Sequence, residues 1–282
     1  MNTNEDSPFK NVIVNSVQEM VDALRNADWN DPTGAIRLRT DLTMDDIGDV
    51  AFFINTRVFL QALAEDDGTA ATATGNLNRA FVAKIFDRLV LSERYREMTR
   101  RVCRVINEQD CWNLHLVRIV SGIAGLVELR KKRFQLTASG RKLLSVDQAA
   151  TLYRTLFITY FTKFDWYYDF PFRKAVWIQP TMAATLWRMD FILKNWCNIL
   201  GLARKVLLPR VYENLREAMT HETDTEEWIF CSIALEPLLK FGLIEKSKGE
   251  DSVGSEKDNA VRITPLWKRF IAFAVEPDLS NN

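Results

Sequence analysis

Apolar positions recur at helical spacing through most of this chain, and at two places the period shortens to that of a strand. At the first, an apolar run from Trp112 to Ala124 stops at Gly125-Leu126. Val127 and Leu129, then Phe134 and Leu136, alternate as inward positions around Arg130-Lys131-Lys132-Arg133. Thr137 then stands just ahead of an amphipathic run ending at Leu144, which predicts a capped helix. At the second, Leu238-Leu-Lys-Phe-Gly-Leu-Ile-Glu-Lys-Ser-Lys passes through a polar insert and resumes at Val261-Arg-Ile-Thr-Pro-Leu-Trp-Lys-Arg-Phe-Ile. Each copy reads as helix, Gly-Leu exit, strand, charged turn, strand and capped helix, the outline of a winged helix. The expected fold class is therefore mainly α, a helical protein with two winged-helix-like units carrying small β-hairpin wings.

The remaining pattern is helical with loops between. Val12 to Leu24 is predicted as a helix with Ser16 at its cap and Val17, Met20, Val21 and Leu24 on one face. Asp28-Trp-Asn-Asp-Pro-Thr-Gly predicts a turn-rich loop. Thr43 is an expected N-cap, with Asp45 and Asp46 in the first turn, ahead of a buried helix from Ala51 to Ala64. Thr74 or Asn76 is expected to cap a helix carrying Leu77, Phe81, Ile85 and Leu89, and a second helix runs from Glu93 to Ile106. Residues 150–200 are dense in aromatics around a non-helical break at Phe164-Asp-Trp-Tyr-Tyr-Asp-Phe-Pro-Phe, and 204–223 reads as a further helix. Lys248 to Asn259 forms a long polar wing tip. These stretches group as an acidic helical region (1–70), a first winged-helix-like domain (71–149), an aromatic-rich helical middle (150–223) and a second winged-helix-like domain (224–282).

Composition adds a charge polarity that the zero net charge conceals. Residues 1–70 hold thirteen acids against five bases, and residues 94–154 hold thirteen bases against five acids. A local basic field attracts phosphates even in a neutral protein, unless the acidic region packs beside it and compensates. With 47% hydrophobic residues a substantial core is expected. The sequence shows neither a signal peptide nor an uncharged run long enough to span a bilayer. Cys103, Cys111, Cys197 and Cys231 are scattered rather than clustered, which fits buried thiols in a reducing cytoplasm. No metal ligand set and no cofactor motif stands out.

The two copies differ in candidate chemistry. In the first, Asn113 and Arg118 on the third helix are side-chain types suited to adenine and guanine edges. Arg130, Lys131, Lys132 and Arg133 at the wing tip, with Arg141 and Lys142 after it, suit phosphates. In the second, the equivalent helix carries Glu226, Glu227 and Glu236 with Pro237 interrupting it, a poor surface for a phosphate backbone. The aromatics of 150–200 are expected in the core rather than as stacking platforms, and Asp165 and Asp169 as helix caps or partners of Arg173. His115-x-x-Arg118, with Tyr153 and Tyr160 downstream, matches a short element of tyrosine recombinases. Four residues without the further activating arginine are a coincidence-grade match. Enzyme activity is unsupported. The working expectation is non-enzymatic binding of duplex DNA through the first unit and self-association as a homodimer through the second, in the cytoplasm and away from membranes. The alternative is a protein-interaction or assembly module that does not touch nucleic acid.

Thr72-Ala-Thr-Gly-Asn-Leu-Asn-Arg, His115-Leu-Val-Arg, Gly125-Leu-Val, Leu136-Thr-Ala-Ser-Gly-Arg and Phe164-Asp-Trp-Tyr-Tyr-Asp occur in that order. Over roughly residues 45–200 they resemble the helical region that accompanies the plasmid Ri open-reading-frame-three family of bacterial proteins. The strand-rich module of that family, with its Ile-Trp-Arg start, is absent from this sequence. The resemblance implies a bacterial origin and brings no catalytic residue with it.

Overall fold

A computed structural model describes residues 12–14, 17–168, 176–219, 225–247 and 259–277. Strand β1 (Val12–Val14) precedes helix α1 (Val17–Arg25), and strand β2 (Ile36–Leu38) follows the turn-rich loop. Next come α2 (Met44–Ile47), α3 (Ala51–Glu65), β3 (Thr69–Ala70), α4 (Arg79–Phe86), α5 (Glu93–Val102) and α6 (Trp112–Ile123). The hairpin β4 (Val127–Arg130) and β5 (Arg133–Leu136) leads to α7 (Ala138–Leu143) and α8 (Ala149–Thr162). The rest comprises α9 (Met182–Ile192), β6 (Cys197–Asn198), α10 (Leu202–Val206), α11 (Pro209–Glu217), α12 (Glu226–Phe230) and α13 (Glu236–Lys240). It closes with β7 (Ile244–Lys246), β8 (Ala260–Ile263), α14 (Pro265–Phe270), β9 (Ile271–Phe273) and β10 (Val275–Pro277). The chain is mainly helical with small sheets. It divides into two compact units, one contiguous (40–164) and one assembled from 1–39 and 165–282.

In the contiguous unit α3 packs on α6 and α6 on α8. Phe53, Phe59, Leu60, Leu114, Val117, Tyr153 and Phe157 are fully buried among these helices, so the apolar stripes read from the sequence form its core. β3, β5 and β4 form an antiparallel sheet in that order, with Thr69 opposite Phe134 and Leu129 opposite Phe134 on the other side. Thr43 opens α2 as expected: its backbone N–H and hydroxyl both donate to Asp46. The cap of α4 is Asn78 rather than Thr74 or Asn76, its Oδ1 accepting the Phe81 N–H at 3.0 Å. α5 ends at Val102, four residues before the predicted Ile106, and a short 3₁₀ turn (Glu108–Asp110) then leads into α6.

In the discontinuous unit the first surprise is Val12–Val14. These residues form a strand parallel to Val275–Pro277 instead of the first turn of a helix. Three consecutive β-branched residues favour that geometry, but the partner lies at the far end of the sequence. Ile36–Leu38, which periodicity did not mark, pairs antiparallel with Ile271–Phe273. The predicted helix over 204–223 breaks at Leu207-Leu208, where Pro209 starts α11. Residues Cys231–Leu235 form a π-turn between α12 and α13, directly ahead of Pro237. Proline removes a donor from the ladder, so the irregularity sits where the sequence put it. Asp169, Arg173 and the polar tip from Lys248 through Asp258 lie outside the described residues.

The duplicated pattern holds at the level of individual hydrogen bonds. Gly125 and Gly242 both take left-handed backbone angles (φ 70° and 68°), which a side chain would disfavour, and turn the chain out of a helix into a strand. Leu126 N–H bonds to Ser121 and Leu243 N–H to Leu238; Thr137 N–H bonds to Leu126 and Thr264 N–H to Leu243. The Thr137 hydroxyl donates to Gly125 and Leu126 carbonyls, and the Thr264 hydroxyl to those of Gly242 and Leu243. The sheet of the second copy has the order β6-β8-β7, matching β3-β5-β4. Both sheets continue by one bond past their first strand, from Ala71 to Lys132 and from Ile199 to Asn259.

Candidate nucleic-acid interface

The basic residues of the contiguous unit fall into two groups: those spent on holding the fold, and those left at the surface. The unit carries eighteen bases against fourteen acids. Arg96 donates to the carbonyls of Phe86 and Leu89 and, like Arg100, pairs with Asp87. Lys84 and Arg88 pair with Glu65 and Asp66 at the end of α3, and Arg141 with Asp67. Of these pairs, Arg141–Asp67 is the one that joins the acidic stretch (1–70) to the basic one (94–154). Arg130, Lys131, Lys132 and Lys142 are exposed, and among the described residues their side chains meet no acid. Arg133 is exposed too, with its guanidinium braced on the carbonyls of Asp67 and Gly68.

The tip of the β4–β5 hairpin has a particular backbone. Lys131 and Lys132 occupy both central positions with positive φ, 49° and 60°. A two-residue hairpin turn of this type favours Asn-Gly, because residues with a Cβ are strained there. Leu129, expected to point inward, is instead 53% exposed, because the hairpin projects beyond the core that covers Val127.

Arg118 and Asn113 are the nominated base readers. Both are half-buried on α6. Arg118 Nε donates to Glu108 Oε1 at 2.5 Å, and its guanidinium lies over the Phe134 ring at 5.3 Å. His115 Nδ1 donates to the same oxygen at 2.6 Å, and the Leu77 N–H donates to Oε2 at 2.5 Å. Burial alone would push the Glu108 carboxyl up. The hydrogen bonds from His115, Leu77 and Arg118, with the Arg118 charge, outweigh it and hold the group below its ordinary value. The His-x-x-Arg pair is thus a satisfied internal network. Sequence reasoning missed Glu108, whose only signal was an acid shortly before a helix that carries a buried cation. The fully exposed residues of α6 are Gly122 and Ile123 at its C-terminal end, while Trp112, Asn113, Arg118 and Ile119 are half-buried.

The nucleophile candidates are equally internal. Tyr153 is completely buried, edge-on to Phe53 at 6.2 Å, and burial pushes its phenol well above the ordinary range. Tyr160 packs among Phe52, Phe161 and Phe164. Burial pushes the Cys231 thiol up to about 11, away from the thiolate form. All four cysteines are unbridged, with Cys111 buried and the other three partly so. Asp165 closes a local turn by accepting the Tyr167 N–H. Among the described residues no three His, Cys, Asp or Glu side chains gather as metal ligands, and no helix is long and apolar enough to cross a membrane.

The second copy has a different surface. Glu226 pairs with Arg216, Glu227 accepts the Gly201 N–H at 3.0 Å, and Glu236 is exposed. The aromatic belt is only partly core. Tyr153, Phe157 and Phe161 are buried, whereas Phe191 and Trp196 are largely exposed, Trp196 with Arg262 stacked on it at 4.4 Å. Leu200 and Trp228 are exposed on either side of the Gly201–Glu227 bond.

Residues 50–150, within the contiguous unit, match the family model described as the Y4jL N-terminal domain. No curated protein and no solved structure matches the chain.

Proposed function

We propose that residues 40–164 form a winged-helix-like unit that holds duplex DNA by its phosphate backbone, without catalysis. The element order supports it: α3, β3 and α4 precede α6, a hairpin follows α6, and the strand order is β3-β5-β4. A winged helix has a first strand between its first two helices and a wing after the third, with α5 here as an extra helix. The observation that carries the reading is the wing tip. Two adjacent lysines sit in left-handed backbone, at a cost of about 1–2 kcal/mol each relative to glycine. Such strain persists where side chains are needed for contact. Four consecutive exposed bases there suit phosphates, while Arg118 is committed to Glu108. Binding of this kind is sequence-independent and salt-sensitive.

The test is a gel shift on random duplex DNA at low and moderate salt. Changing Arg130, Lys131, Lys132 and Arg133 to alanine is expected to weaken binding and lower the salt slope by about 3. The double variant Lys131→Asn/Lys132→Gly is expected to melt higher and bind more weakly. Wild-type protein without salt-sensitive binding would sink the DNA reading and favour the assembly module. Self-association through the second copy is the companion proposal, supported by exposed Leu200 and Trp228 beside acids unsuited to DNA. A monomer by light scattering at high concentration would count against it. A bacterial origin, supported by the ordered motif blocks, and a cytoplasmic site, supported by the four unbridged cysteines, belong to the same proposal.

A further inference from the structure

We infer that α5, the helix inserted between α4 and α6, is a second DNA-contacting element, with Arg94 and Arg101 on the helix and Arg104 just past its end as phosphate ligands. The inference rests on the DNA reading of the wing and extends it to a surface that reading does not use. α5 sorts its cations by side. Tyr95, Arg96, Thr99 and Arg100 face the protein: the Tyr95 hydroxyl donates to the Asp110 carbonyl and accepts the Trp112 N–H, and Arg96 and Arg100 hold Asp87. Arg94, Arg101 and Arg104 are exposed, and among the described residues no acid, carbonyl or ring engages their side chains. Glu93, 4.0 Å from Arg96, and Glu97 are exposed on the same helix and offset part of this charge. Arg94 and Arg101 lie two helical turns apart on one side, about 10 Å along the axis. Met98, exposed between them, and Val102, exposed just beyond Arg101, give an apolar edge that can lie against deoxyribose.

α5 and the wing are both linked by hydrogen bonds to the segment that opens α6. Tyr95 ties α5 to Trp112, the first residue of α6. The wing tip is tied to that end by a chain of bonds: Ala71 N–H to the Lys132 carbonyl, Ala71 bridged to Leu77, and Leu77 N–H to Glu108, just before α6. Asn55 fixes the entry to α5 by bonding both the N–H and the carbonyl of Val90. A helix-turn-helix protein directs the N-terminal end of its third helix at the duplex. Two basic elements flanking that end can grip the backbone on both sides of it.

The experiment is fluorescence anisotropy of the full chain with a random 25-base-pair duplex, titrated across salt concentrations. It compares wild type, Arg94→Ala/Arg101→Ala/Arg104→Ala, the same positions changed to lysine, and the wing quadruple alanine variant. The α5 alanine variant is expected to bind several-fold more weakly, with a salt slope smaller by about 2–3. The lysine variant is expected to retain most of the slope, and melting temperatures to stay unchanged because the three side chains have no folded partner. An unchanged slope in the α5 variant beside a reduced one in the wing variant would overturn the inference and leave the wing reading standing. No wild-type binding would overturn both.

Discussion

Glu108 shows how one buried residue redirects the roles of its neighbours. Its carboxylate takes up Arg118 and His115, both of which looked like chemistry when read in sequence, and ties them to the backbone of Leu77. Removing one partner of a buried charge pair leaves the other uncompensated. Glu108→Ala is therefore expected to destabilise the protein by about 3 kcal/mol in urea unfolding. The pH dependence has a definite sign. The folded carboxyl lies below its ordinary value of 4.5, so its stabilisation is complete above that pH and is lost as the pH falls through the folded value. The stability gap between wild type and Glu108→Gln should shrink below pH 4.5; a gap constant down to strong acid would contradict this. Lys131 and Lys132 make the complementary point. Their identities were legible in the sequence, but their left-handed backbone was not, because it depends on hairpin register.

Among the elements, the Gly-Leu exit and capping threonine were legible because every interaction in them is local or spans one hairpin. The two copies also differ in a measurable way. The Thr137 hydroxyl donates to two carbonyls and accepts the Gly140 N–H at 3.0 Å. Thr264 makes only the donating pair, since Pro265 starts its helix and the Trp267 N–H is taken by the Thr264 carbonyl. Both alanine substitutions should destabilise, with Thr137→Ala costing about 1 kcal/mol more than Thr264→Ala. Equal losses in thermal melts would show that the Gly140 bond contributes nothing. Val12–Val14 was misread for the opposite reason. A short apolar stretch next to a helix has the same period as the helix, and only a strand more than 250 residues away decides between them.

At the scale of the whole molecule, the grouping of the chain depends on contacts that no local pattern announces. Residues 40–164 keep all their strand partners within one contiguous stretch. Expressed alone, this fragment is expected to melt cooperatively and to retain the DNA affinity of the full chain. Residues 165–282 alone lose β1 and β2, leaving β10 and β9 without partners, and should be markedly less stable than within the full chain. Comparable melting of that fragment with and without residues 1–39 would contradict the dependence. The sequence by itself determined the helical class, the two hairpins, their glycine exits and threonine caps, because hydrophobic period and turn chemistry act over a few residues. Only the tertiary structure decided which cations are free. Arg118, Arg96 and Arg141 are neutralised by acids up to 74 residues away, while Arg94, Arg101 and Arg130 meet none. Charge partners are chosen by the packing that brings distant side chains within a few ångströms, and the order of residues along the chain does not carry that distance.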